Sequence, residues 1–200
     1  TDDVFGHDYE MKSTLWNVFG QYEKKLERVD LYAGAMVGHM SFYRDGNMRN
    51  GRFPESSEGA SDHHNFLHFG AKAGATYKLS GRQFIAANAA VMSRPPSANS
   101  SFLSARISDR IISGLQNDPM YSGDINYITL FPRLKGRATL YYTKIMNQSW
   151  SRSYYNDEYL TLVNYAMTGV DQVHKGVEIG LEANLTSTWQ ATFVYAGGSY

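Results

Sequence analysis

Cysteine is absent from the 200 residues, which removes disulfide frameworks and thiolate metal sites and suits passage through an oxidising periplasm. Net charge is absent too, with 19 basic side chains against 19 acidic ones. Without a basic excess or stripe the sequence offers nothing to a phosphate backbone, so it has no nucleic acid partner. Long apolar runs are missing: the longest, residues 31–38 and 84–92, fall far short of the roughly 20 residues a membrane helix needs. The start, Thr1-Asp2-Asp3-Val4-Phe5-Gly6-His7-Asp8, has neither the basic stretch nor the apolar core of a secretory signal. The end, Ala196-Gly197-Gly198-Ser199-Tyr200, has the character of a strand interior. The chain is therefore expected to be an excerpt of a longer protein.

What is present is alternation. In residues 175–185, Val177, Ile179, Leu181, Ala183 and Leu185 point one way, and Glu178, Gly180, Glu182 and Asn184 the other. Period-two patterning of this kind marks a strand with one apolar and one polar face. Residues 136–143 set Ala138, Leu140 and Tyr142 against Arg137, Thr139, Tyr141 and Thr143; residues 67–77 set Leu67, Phe69, Ala71, Ala73, Ala75 and Tyr77 against His68, Gly70, Lys72, Gly74 and Thr76. Weaker strands are expected at 14–24, 31–43, 83–93, 123–131 and 189–200, which makes about eight. Residues 13–29 admit a second reading, because Leu15, Val18, Phe19, Tyr22 and Leu26 also fit helical spacing behind a Ser13 cap. Gly20 in its interior opposes a helix.

The connections alternate in length. Residues 25–29, 79–82, 132–134 and 186–188 are tight links with turn chemistry, whereas 44–65, 94–122 and 146–174 are long polar excursions. Compact soluble domains mostly use links of about 4–6 residues. Tight turns alternating with long loops are the pattern of a transmembrane barrel, with short periplasmic turns and long extracellular loops. The expected fold class is thus all-β: an antiparallel transmembrane β-barrel segment of about eight strands, with residues 1–200 forming one partial barrel domain. Aromatic residues in or beside the strands, among them Trp16, Tyr22, Tyr77, Tyr142 and Trp189, suit the lipid–water boundaries.

Few constellations suggest chemistry. Asp62, His63, His64 and His68 could gather round a metal, but they lie at a loop mouth, and no metal site is assigned. Glu178 and Glu182 are about 13–14 Å apart along a strand, too far for a glycosidase pair. No Ser-His-Asp ordering or phosphate-cradling glycine loop is found, so no catalytic residue and no cofactor is assigned. The methionines, Met36, Met40, Met48 and Met92 included, are read as packing. Trp150, Arg152, Tyr154, Tyr155 and Tyr159, expected in an extracellular loop beside Asp157 and Glu158, combine flat rings with charge and are the candidate substrate-binding set.

Three segments carry a family likeness. They are Lys72-Ala73-Gly74-Ala75-Thr76-Tyr77 followed by a tight turn and Ala87-Asn88-Ala89; Ser93-Arg94-Pro95-Pro96 with Phe102 and Arg106; and Arg137-Ala138-Thr139-Leu140-Tyr141-Tyr142 leading to His174-Lys175-Gly176-Val177-Glu178. From about Leu31 onward the chain resembles the barrel of a TonB-dependent outer-membrane receptor, of the type with an N-terminal carboxypeptidase-regulatory-like domain. The family's plug domain and TonB-binding segment are not found here, and about 22 strands close such barrels.

The resemblance implies a bacterial outer-membrane protein that takes up a scarce nutrient, whether iron chelate, cobalamin, oligosaccharide or peptide. Its partners would be outer-membrane lipid, the TonB system acting through the plug, the nutrient, and in some receptors a surface lipoprotein. Lys72, Arg137, Glu178 and Glu182 are the lumen-facing candidates. Two other classes stay open: a soluble or surface β-sandwich binding module, which would bury the apolar faces against each other, and a barrel enzyme, for which no catalytic set is found.

Overall fold

The structure is a computed structural model that describes residues 6–200. Its strands are β1 (Tyr9–Lys25), β2 (Val29–Gly46), β3 (Gly59–Ala60), β4 (His64–Ser80), β5 (Gln83–Arg94), β6 (Asp118–Leu130), β7 (Leu134–Asn156), β8 (Thr161–Asn184) and β9 (Gln190–Ser199). A single short helix, α1 (Ala98–Ser101), lies in the loop after β5. All strands belong to one sheet in the order β1-β2-β4-β5-β6-β7-β8-β9, with β3 attached to β2. Every neighbouring pair is antiparallel, so the chain is a continuous meander and its eight long strands match the expected number.

The helical alternative for residues 13–29 is overturned, since β1 runs through Tyr9–Lys25 in unbroken register with β2. The helical spacing has a simple origin. Trp16, Val18 and Tyr22 lie on one face of β1 while Leu15 and Phe19 lie on the other, so apolar residues on both sides of an extended chain imitate a helical stripe.

Register decides which residues share a face, because directly paired residues point the same way. Tyr127, Ala138 and Ile179 form one row, as do Ala35, Ala71, Val91 and Tyr121. The other face carries rows such as Asn88, Asp124 and Tyr141. A cavity lined by Asn17, Met36, His68, Met92, Asp118 and Trp150 is built from six neighbouring strands on that second face, which is therefore the concave one.

On the convex outer face large apolar side chains have no covering layer: Leu67 is 65% exposed, Leu140 57% and Ile125 56%. Soluble domains rarely leave so continuous an apolar surface bare. Among the described residues no second sheet packs on it, which removes the β-sandwich alternative. Tyr22, Tyr77 and Tyr127 stand toward the tight-turn ends of this face and Trp16, Tyr121 and Tyr142 toward the long-loop ends. β1 departs from the alternation, for Phe19 is 80% exposed on the concave face of this edge strand.

The third long excursion is a correction. Residues 146–174 are not an irregular loop: β7 and β8 have 23 and 24 residues and stay paired from Leu134 with Ala183 to Asn156 with Thr161. A bilayer uses only about 9–11 residues of a tilted strand. The remainder, about 12–14 residues of each strand, amounts to a hairpin extension roughly 40 Å long at the usual rise.

Candidate functional site

The site is the concave face together with the loops folded over its wide end. A chain of polar side chains crosses this face. Tyr32 Oη donates to Asn88 Oδ1 at 3.0 Å, and Asn88 Nδ2 to Asp124 Oδ1 at 2.7 Å. Asn126 Nδ2 also donates to Asp124 Oδ1. Asn126 Oδ1 in turn accepts from Arg137 Nε at 2.9 Å, Arg137 Nη2 at 2.7 Å and Thr139 Oγ1 at 2.8 Å. Asn126 is almost wholly buried, and this chain supplies the partners a buried amide requires. The chain steps over β4 at Gly74, where a Cβ would stand in the place of the Tyr32–Asn88 contact. The same device recurs at Gly38 of β2, over which Asn17 Oδ1 and His68 Nε2 meet at 2.6 Å.

The lumen-facing candidates all lie on this face. The structure does not bring them into one cluster. Arg137 is tied into the polar chain, Lys72 Nζ sits 5.8 Å from the centre of the Tyr32 ring, and Glu182 lies 3.4 Å from Lys135 Nζ. Glu178 is exposed, paired across the sheet with Thr139 and Ala196.

The wide end is closed by loops held by Arg44, a residue that sequence reasoning passed over. Its side chain is 1% exposed; Nε donates to Ala105 O at 2.6 Å and Nη1 to Ser57 O at 2.9 Å, and the guanidinium lies 5.3 Å from the centre of the Tyr9 ring. Burial lowers its pKa, opposed by the carboxylate of Asp109. One side chain thus joins the loop after β2 to the loop after β5, and Asp109 N to Ser56 O at 2.6 Å joins them again. Phe102 from the second loop packs on Phe42 of the concave face at 6.1 Å, with Phe66 at 5.7 Å on the other side. The second loop therefore folds inward over the concave face. Nearby, Lys12 is raised by its bonds to Asp45 and Glu10.

Beneath that loop is the cavity, about 520 Å³. Trp150 reaches it through a break in β7. The register of β7 on β8 shifts between Ile145 and Gln148, around Asn147 with φ of 60°. A bulge reverses the phase of the side chains that follow, so Gln148 and Trp150 join Thr143 on the concave side. Asp171 secures the bulge, accepting from Asn147 N at 3.2 Å and lying 3.3 Å from Lys144 Nζ. That backbone bond, then Lys144, hold its carboxyl below the usual range.

The substrate-binding candidates separate. Trp150 lines the cavity, and the Arg152 guanidinium lies 5.9 Å from the centre of its ring. Tyr154, Tyr155 and Tyr159 are exposed toward the hairpin tip, the first two on β7 and Tyr159 in the turn. The histidines also separate: His63 stacks on Tyr43 at 4.3 Å, His64 packs near Phe42 and Phe102, and His68 turns into the cavity.

Three solved structures have the same architecture. The copper transporter OprC superposes with a TM-score of 0.74 at 16% identity over 94% of this chain and 30% of its own. The siderophore receptor PiuA of Acinetobacter baumannii gives 0.66 at 17% over 96% and 26%. The ferric-catecholate import receptor Fiu of E. coli K12 gives 0.61 at 18% over 98% and 29%. Identities this low establish the fold alone: the chain is an open sector of an antiparallel β-barrel. It spans less than a third of each of these proteins. No family model matches the sequence, and no curated protein is significantly similar to it.

Proposed function

We propose that this chain is one sector of the barrel of a bacterial outer-membrane receptor of the TonB-dependent kind, and that the whole protein imports a nutrient. The observation that carries the reading is the division of one sheet into a bare apolar outer face and a hydrogen-bonded polar inner face. Hydrocarbon demands the first, and a water-filled or plugged lumen the second. The neighbours named above are a transporter and two import or siderophore receptors, which supports transport as the activity of the complete barrel.

On this reading the loops joined by Arg44 and the long β7–β8 hairpin face outside the cell. Tyr154, Tyr155 and Tyr159 offer flat surfaces to an arriving ligand or a surface lipoprotein, and Trp150 with Arg152 sits where the ligand passes inward. Lys72, Arg137, Glu178 and Glu182 line the lumen or contact a plug. The outer membrane holds no ATP, so uptake against a gradient needs force from the inner membrane, delivered through the plug. A carboxypeptidase-regulatory-like domain would precede that plug. The nutrient is a metal complex, cobalamin, an oligosaccharide or a peptide.

Charge reversal tests the lumen role. The double variant Glu178→Lys, Glu182→Lys in the full-length receptor should assemble in the outer membrane normally and impair nutrient-limited growth. Normal growth with normal assembly would remove both residues from the path.

A further inference from the structure

The first three tight turns share a feature to which import as described gives no task. Each closes over two residues, and the second is arginine: Glu27-Arg28 between Leu26 and Val29, Gly81-Arg82 between Ser80 and Gln83, and Pro132-Arg133 between Phe131 and Leu134. In each turn the arginine carbonyl accepts from the strand next in the sheet. Arg28 O accepts from Lys78 N at 2.8 Å, Arg82 O from Leu130 N at 2.8 Å and Arg133 O from Asn184 N at 2.9 Å. One backbone arrangement thus recurs three times. The repeats are two strands apart, which spaces the arginine backbones about 10 Å from one another along the rim.

The three side chains are exposed, and among the described residues none of their guanidinium groups has an ion pair or a hydrogen bond. Charges on the inner face at this end behave differently. Lys78 Nζ lies 2.6 Å from Asp30 Oδ1, and Lys135 Nζ lies 3.4 Å from Glu182 Oε1. The acids left over at this end are Glu23 and Glu27, against Lys24, Lys25 and the three arginines, so the rim carries net positive charge. Apolar side chains run right up to it. Continuing the alternation of their strands, Leu26, Phe131, Leu134, Leu185 and Trp189 are exposed on the outer face at the turns themselves. Solubility alone does not require arginine, for the fourth turn is made of Thr186, Ser187 and Thr188.

We infer that the tight-turn rim is a docking surface for anionic phospholipid headgroups, with Arg28, Arg82 and Arg133 each engaging a phosphate. The inference rests on the reading above, in which hydrocarbon meets the outer face. A guanidinium fork matches two phosphate oxygens at once, and its stem lies along apolar surface while the charged head stays in the polar layer. Basic side chains at a membrane surface favour lipids of net negative charge. A zwitterionic lipid gains less, because its own cation already stands beside its phosphate. The occupant is lipid rather than an acidic protein because the surface needs both chemistries in one order: hydrocarbon against Leu26, Phe131 and Leu134, then anions against the arginines one or two residues away.

The test is native mass spectrometry of the full-length receptor, purified from outer membranes, stripped of lipid in detergent and offered equal amounts of phosphatidylglycerol and phosphatidylcholine. The wild type should retain phosphatidylglycerol with a preference of at least about tenfold. The triple variant Arg28→Gln, Arg82→Gln, Arg133→Gln should lose that preference. A matched variant, Arg49→Gln, Arg52→Gln, Arg110→Gln, removes the same charge from exposed loop positions at the other end and should keep it. No preference in the wild type, an undiminished one in the triple variant, or an equal loss in the matched variant overturns the proposal. So does retention of polyglutamate in place of lipid when both are offered, which would assign the rim to an acidic protein. The turn bonds are made by backbone, so glutamine suits each position; should the triple variant still fail to assemble, each single variant should lower the preference at least about twofold, and no change in any of the three overturns the proposal. Heat-modifiable gel mobility reports the barrel separately. An outer-membrane barrel that shows no lipid preference fails this inference alone and leaves the import reading standing, whereas a water-soluble protein without that mobility fails both.

Discussion

Gly74 illustrates how a single residue serves this face. Tyr32 on β2 and Asn88 on β5 belong to strands that are not neighbours, and their side chains meet only because β4 carries no Cβ between them. Gly74→Val should break that bond and strain the surrounding strands, at a cost of about 1–3 kcal/mol as for other overpacked sites. Gly180, on the same face, has nothing within 4 Å of a Cβ. Gly180→Ala should stay within about 0.5 kcal/mol. The temperature at which the heat-modifiable band is lost would rank the two, and equal temperatures would show that the Tyr32–Asn88 contact is unimportant.

At the scale of the element, the β7–β8 hairpin extends the sheet past the long-loop ends of its neighbours, and its bulge aims Gln148 and Trp150 at the cavity. Asp171 holds that bulge, and its folded-state pKa is depressed. A group of this kind stabilises the fold above its unfolded pKa, about 3.9 for aspartate, and the contribution is lost as pH falls through the lower folded value. In a receptor in which every tryptophan except Trp150 is changed to Phe, Trp16 and Trp189 included, Trp150 fluorescence should be steady above about pH 4 and shift to the red below it. Asp171→Asn should abolish that transition, and an unchanged transition would separate Asp171 from the position of Trp150.

This hairpin also marks where the sequence stops being legible. Residues 136–143 and 175–185 alternate because one face meets an apolar medium, and the structure has strands at both. Beyond Ile145 both faces of the hairpin are polar or solvated, so there is no alternation to read, and the bulge at Asn147 breaks the phase. Polar composition was therefore mistaken for irregular structure. Parity alone put Lys72, Arg137, Glu178 and Glu182 on one side of their strands. It could not show the Asn88–Asp124–Asn126 chain, the Arg44 junction or the place of His68, which depend on register between strands and on loops folding inward.

For the whole molecule, one sheet carries two unlike faces. Its edges, β1 and β9, each pair on one side only, and the strands between them present apolar side chains outward and a hydrogen-bonded surface inward. No helix among the described residues is long and apolar enough to cross a bilayer. Backbone groups in hydrocarbon must instead be satisfied by neighbouring strands, which only a closed barrel achieves all the way round. On the proposed reading a sheet of this width would supply part of that wall, with the second loop folded inward over its concave face.

This chain has no cysteine of its own, so in a receptor whose remaining segments are also made cysteine-free the central claim is directly measurable. Spin labels at single cysteines replacing Ala71, Ala73, Ala87 and Ala89 on the outer face, and Lys72, Thr76 and Ala90 on the inner face, would be read in the bilayer-reconstituted receptor with oxygen and a nickel chelate as relaxing agents. Oxygen should dominate at the four outer positions and the chelate at the inner ones, alternating residue by residue. Outer positions open to the chelate, or sealed against both agents as beneath a second protein layer, would contradict the account.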